Sequence, residues 1–238
     1  SMTALVREYG LNSSLIKSQM ERQLFKGGRK LVYDNVTIYN NDTVTVHADK
    51  NEMPDNSVDM ILTSIPFGDH YEYSDNYNDF GHNHGNEKFF EQMGFLTPNL
   101  LRVLKPGRVA AIHVKDRIRY SYQNGTSFTT ISSFSNDTIA HFTKKTIKDK
   151  IDLLSDIRVR IEKCEGFPEN FKSDLDAEID ELKNDYKDRF YHIGTITVTT
   201  DVVAENNQTY RLGWSEQCKD ASKMGVGLPE YVLLFRNA

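Results

Sequence analysis

The residues with the most chemistry to offer lie where an apolar run stops. Val58-Asp59-Met60-Ile61-Leu62 gives way to Thr63-Ser64-Ile65-Pro66-Phe67-Gly68. A hydroxyl, a backbone stiffened by proline and an aromatic ring follow one another there. Together an acceptor, a fixed backbone and an aromatic face could hold a flat heterocycle bearing an amino group. The same residues also suit an ordinary strand exit through a Pro-Phe turn. Asp49 is a second candidate, at the end of the β-rich run Val44-Thr45-Val46-His47, where it could meet a ligand or simply make a turn. His70, His82 and His84 invite a metal reading, but no carboxylate spacing completes a site, and none is expected.

The elements that must carry these residues read as α/β. The Val58–Leu62 run suits a buried parallel strand, and ligands of open α/β sheets bind at carboxyl ends of strands. The stretch 70–85 is aromatic, amide-rich and aperiodic, too long for an idle connection. Asn86 can cap a helix that buries Phe89, Phe90 and Met93, and Thr97-Pro98 restarts it. After Lys105-Pro106-Gly107, Val109–Val114 reads as a second buried strand, making a strand–helix–strand crossover. Its carboxyl end carries Lys115, Asp116 and Arg117, on the same edge as Ser64.

The flanks are simpler. Residues 3–24 have helical spacing. Val36–Tyr39 and Val44–His47 suggest two short strands, with His47 on a strand surface. Residues 120–135 look like loop, with Asn136 capping a helix from Asp137. Ile147, Ile151, Leu154, Ile157 and Ile161, then Leu175, Ile179, Leu182, Tyr186 and Phe190, recur at three- or four-residue steps. That spacing predicts a hairpin of two amphipathic helices. Residues 193–203 and 229–236 return to strand.

The chain has 238 residues and a formal net charge of -5. It can bury a sizeable core, and a sequence-blind nucleic-acid binder would be basic, so any DNA contact must be local. Cys164 and Cys218 stand far apart, which excludes a disulfide scaffold and suits a reducing, cytoplasmic setting. No run has the length of a membrane span.

In this order, the acidic strand end at Asp49, the Pro54–Gly68 run, a helix, the Leu100–Val114 run and the closing Pro229–Phe235 strand resemble the amino-methyltransferases of DNA. The likeness is to the bacterial or phage class in which the catalytic motif precedes the cofactor glycine motif, and it covers roughly residues 34–119 and 190–236. It implies S-adenosylmethionine as cofactor, DNA as partner and methylation of adenine N6 or cytosine N4 on a flipped-out base. The family motif, Asp, Asn or Ser followed by Pro-Pro and an aromatic, stands here as Ser64-Ile65-Pro66-Phe67. By resemblance Ser64 and the Ile65 carbonyl accept the amine hydrogens, Pro66 aims that carbonyl and Phe67 stacks on the base. Asp49, Ser64 and Phe67 would border the cofactor. Tyr71, Tyr73, Lys115, Arg117 and Arg119 would meet DNA.

The sequence departs from the family in having Ile65 where a proline is usual. The family's Phe-x-Gly-x-Gly turn is missing; Gly27-Gly28 and Gly225-Val226-Gly227 have the wrong surroundings. The expected fold is therefore α/β, a partial Rossmann-like sheet with flanking helices and an inserted helical hairpin. Residues 1–33 form an N-terminal helical segment, 34–143 and 190–238 a catalytic subdomain, and 144–189 the insert, which could also pair two copies. The cofactor segment would belong to a longer protein. The alternative is a non-catalytic DNA-binding or assembly module derived from such an enzyme.

Overall fold

The computed structural model describes residues 30–66, 79–83, 85–119, 121–128, 130–164, 166, 168–199 and 229–237. The helical expectation for 3–24, and Phe67, Tyr71 and Tyr73, lie outside them. Two compact units divide at Met53 and Pro54.

In the first unit β1 (Lys30–Tyr33) and β2 (Val36–Tyr39) form an antiparallel hairpin. The residues expected as a second strand are instead a helix, α1 (Thr43–Ala48). Asp42 decides this: its side chain accepts from the backbone of Val44 at 2.7 Å and Thr45 at 3.2 Å. That cap outweighs the weak helix preference of Val and Thr. His47 is accordingly helical, its Nδ1 2.8 Å from the Thr43 carbonyl. Asp49 is the helix C-cap and accepts from Asn51 N at 2.9 Å.

The second unit is built on a mixed sheet of β3 (Val58–Ser64), β4 (Leu104–Lys115), β7 (Phe190–Val198) and β8 (Glu230–Asn237), in the order β3-β4-β8-β7. β3 and β4 are parallel, and β8 runs antiparallel to both neighbours. The crossover between β3 and β4 carries α2 (Asn86–Met93) and α3 (Thr97–Val103). Register jumps from Val58↔Leu104 to Met60↔Val109, so β4 bulges at Lys105–Arg108. Gly107 turns that bulge with φ +75°, a value costly for any residue with a Cβ.

After β4 come β5 (Arg117–Arg119), the short α4 (Ser121–Asn124) and β6 (Thr130–Ser132). β5 and β6 pair antiparallel, so the region expected as loop holds a hairpin strand. The next helix, α5, is Phe134–Phe142 and starts before Asn136. Its N-terminus is served from a distance: Asp116 Oδ1 accepts from Ser135 N at 2.8 Å. The charge-laced helices α6 (Lys145–Glu162) and α7 (Glu169–Lys187) pack through Ile161, Leu175 and Ile179.

The core lies on one side of the sheet. Strand alternation sends Ala110, Ile112 and Val114 of β4 and Leu233 and Phe235 of β8 to that side, all buried. α3 and α5 cover it. Phe142 stacks on Phe235 at 4.8 Å, and Phe134 on Phe90 at 5.3 Å. The opposite side is different. Among the described residues β3 is an edge strand, with Met60 57% and Leu62 72% exposed, rather than a strand buried on both faces.

Candidate functional site

The open face of the sheet, at the carboxyl ends of β3 and β4, carries a linked set of polar side chains. The parallel register sets Ser64 beside His113, and the antiparallel register sets Lys115 opposite Glu230. His113 and Lys115 are two residues apart and so share a face. Glu230 thereby stands diagonal to His113, within reach of a long side chain. Ser64 Oγ lies 2.9 Å from His113 Nδ1, and His113 Nε2 lies 2.9 Å from Glu230 Oε2. Lys115 donates to the other oxygen, Oε1, at 3.2 Å.

Protonation follows from this geometry. Partial burial pushes the Glu230 carboxyl up, but the hydrogen bonds from Lys115 and His113 outweigh it and leave its pKa below the usual value. An ionised carboxylate only accepts, so the proton of a neutral His113 sits on Nε2. Nδ1 is then a bare acceptor, and the Ser64 hydroxyl donates to it. The oxygen of Ser64, an exposed residue, keeps its own acceptor capacity for another donor. A serine polarised this way accepts better than an isolated one, because linked hydrogen bonds strengthen each other.

Next in the chain, Ile65 is buried and Pro66 half-buried. Burial anchors the Ile65 side chain, and the following proline holds its backbone extended. Phe67, the expected stacking residue, and Tyr71 and Tyr73 lie outside the described residues. Asp49 belongs to the first unit and ends a helix, not a strand.

The basic residues divide. Lys115 is half-buried and tied to Glu230. Arg117, expected at DNA, is 7% exposed. Its guanidinium lies 5.3 Å from the Phe134 ring and donates to Asn86 Oδ1. Asn86, expected as a helix cap, instead occupies the first helical position and ties three segments together, with Ser132 Oγ at 3.1 Å and Asp137 Oδ2 at 2.5 Å. Arg117 is therefore a cation of the interior, not a surface cation as expected. Arg119, on β5, is half-buried.

Sequence reasoning does not single out His113 or Glu230. The available signal is a polar alternation, His113 then Lys115, inside an otherwise apolar strand. Its meaning depends on register with Glu230, which is 117 residues away.

Two other features lie apart from this set. A cleft of about 800 Å³ opens at the opposite end of the sheet, lined by Arg102, His141, Lys144, Arg189 and Asn237 among others. Its cations are engaged locally, Arg102 with Asp55 and Lys144 with Asp185. Among the described residues no group of three or more His, Cys, Asp or Glu could hold a metal ion. None of the described helices is long and apolar enough to cross a membrane.

No protein-family model matches the chain, and no curated protein matches it. Among solved structures it is similar to a proposed DNA modification methylase of Thermus thermophilus, in complex with S-adenosyl-L-methionine. The TM-score is 0.40 at 14% identity, over 82% of this chain and 50% of that one. The selenomethionine form of the same protein gives 0.38 at 15% identity over the same shares. The chain thus spans about half the length of these structures. So remote a likeness decides neither fold nor function.

Proposed function

We propose that this chain carries the catalytic motif of an S-adenosylmethionine-dependent DNA methyltransferase acting on adenine N6 or cytosine N4. One observation carries the reading. Ser64 ends a parallel strand as an exposed residue, its Oγ 2.9 Å from His113 Nδ1, and a hydroxyl that donates there keeps its oxygen as an acceptor. Pro66 and Phe67 follow at the positions the family motif gives them, with Ile65 where a proline is usual.

An exocyclic amine is a poor nucleophile because its lone pair is conjugated with the ring. Acceptors on both hydrogens favour a more tetrahedral nitrogen, with Ser64 Oγ as one and the Ile65 carbonyl as the other. The base must leave the duplex to reach this rim, at a cost of a few kcal/mol that stacking on Phe67 partly offsets. Tyr71, Tyr73, Lys115 and Arg119 are the proposed DNA contacts.

S-adenosylmethionine, when bound, would supply the methyl group as an electrophile. The described residues fit the amine side of such a site. They include no glycine turn after a strand, as close approach to the methionine part would need. Residues holding the donor are to be sought outside those described. The same observation favours a second reading, a DNA-binding or assembly module without catalysis.

Transfer of labelled methyl groups from S-adenosylmethionine to duplex DNA tests the proposal. Ser64→Ala should lower the rate by about 10²-fold or more, as loss of an aligned hydrogen-bonding group does. Full activity in that variant would refute the role of Ser64. DNA binding without transfer by the wild type would favour the module.

A further inference from the structure

We propose that His113 is the proton-accepting partner of Ser64, oriented by Glu230, so that Ser64 passes on the proton the substrate amine must lose. The inference rests on the methyltransferase reading and adds to it the fate of that proton.

Alkylation leaves the amine nitrogen cationic, and the product forms only when it sheds a proton. Serine alone is a poor destination, because its hydroxyl is far too weak a base to hold one. Ser64 is not alone: His113 Nδ1 lies 2.9 Å from its oxygen. The transfer balances within the described residues. The N–H bond breaks and its electron pair stays on nitrogen. The proton joins Ser64 Oγ while the Ser64 O–H bond breaks, its pair remaining on oxygen, and a new N–H forms on Nδ1. One positive charge moves from the substrate to the imidazole.

The resulting imidazolium points Nε2–H at Glu230 Oε2, 2.9 Å away. A charge-assisted hydrogen bond of that kind is about twice as strong as a neutral one. Lys115, on the other carboxylate oxygen at 3.2 Å, keeps Glu230 in place and ionised. The set explains how serine can stand where other members of the family use an aspartate. The carboxylate is still present, two hydrogen bonds further back.

The test has a spectroscopic arm and a kinetic arm, both on the full chain. Long-range ¹⁵N–¹H spectra of the His113 ring, at a pH where it is neutral, should show the Nε2–H tautomer. The Nδ1 resonance should move in Ser64→Ala. Glu230→Gln should favour the Nδ1–H tautomer, since an amide can donate to Nε2. An Nδ1–H tautomer in the wild type would overturn the proposal, and this arm needs no methyl transfer.

In the kinetic arm His113→Gln, which keeps a hydrogen-bonding group but cannot take the proton, should cost about 10²-fold in kcat, the low end for proton-transfer catalysis. Repeated in a Ser64→Asp background, where a carboxylate accepts directly, the same change should cost less than about 3-fold, a large non-additivity. Equal losses in both backgrounds would overturn the proposal. So would covalent labelling of Ser64 by a fluorophosphonate, which would make it a nucleophile. A wild type that methylates no DNA, yet shows the expected tautomer, would defeat the function while supporting the hydrogen-bonded relay.

Discussion

The two faces of the central sheet are built from the same strands and do opposite things. On the covered face Ile112, Val114, Leu233 and Phe235 are buried, with α3 and α5 packed against these strands and Phe142 stacked on Phe235. On the other, Ser64, His113, Lys115 and Glu230, which stand on the opposite side of their strands, make a hydrogen-bonded row beside exposed Met60 and Leu62. Alternation along a strand separates the two sets completely. The lesson is a division of labour: one face holds the strands in register, and register assembles the polar row on the other.

The largest effect should come from the covered face. Phe235→Ala removes a fully buried ring that meets Phe142 and Phe190, and should cost about 3–5 kcal/mol in urea unfolding. Because Phe235 shares β8 with Glu230, the variant should also weaken the polar row. A loss under about 1 kcal/mol would mean that this face does not hold the sheet.

The next effect is pH-dependent and comes from the helices over that face. Burial pushes His141 from 6.5 down to about 4. Its ring packs 5.2 Å from Phe90, and Nε2 lies 2.8 Å from Thr97 Oγ1. The Thr97 hydroxyl donates to the Met93 carbonyl at 3.0 Å, so its oxygen accepts from His141 Nε2–H. The sign is the reverse of a salt-bridged histidine. Between pH 6.5 and about 4 the unfolded chain binds the proton and the folded chain does not. Stability therefore falls as pH drops through that window, by an amount on the order of 2–3 kcal/mol. His141→Gln should flatten this limb in urea midpoints measured against pH.

The smallest effect belongs to the open face. Leu62→Thr keeps a residue suited to strands and removes a side chain that is 72% exposed. It should change stability by no more than about 0.5 kcal/mol. A loss comparable to that of Phe235→Ala would show that the open face is covered in solution and would erase the contrast.

Much of the covered face is legible in the sequence, because hydrophobic spacing reports burial. Phe89 and Met93 mark the first crossover helix, and Val109–Val114 the strand beside it. Ile161, Leu175 and Ile179 are likewise marked by three- and four-residue steps, although the spacing does not say which of them meet. Spacing does not report which side of a strand stays open, so β3 reads as buried on both faces when one is exposed. Nor does it register a single cap: Asp42 turns a run of β-branched residues into α1. Arg117 has the look of a surface cation because charge in a sequence suggests water, yet Asn86 and Phe134 hold it inside. Ser64 is legible through its motif. Its partners are not, since they meet it only through the register of three strands.

The most direct measurement is the identity of the modified nucleoside after the chain has acted on DNA with S-adenosylmethionine. Mass spectrometry of the digested product should show N6-methyladenine or N4-methylcytosine, made in the wild type and nearly lost in Ser64→Ala. Methyl groups found on cytosine C5, or modified DNA undiminished by Ser64→Ala, would contradict an amine held at the rim of β3.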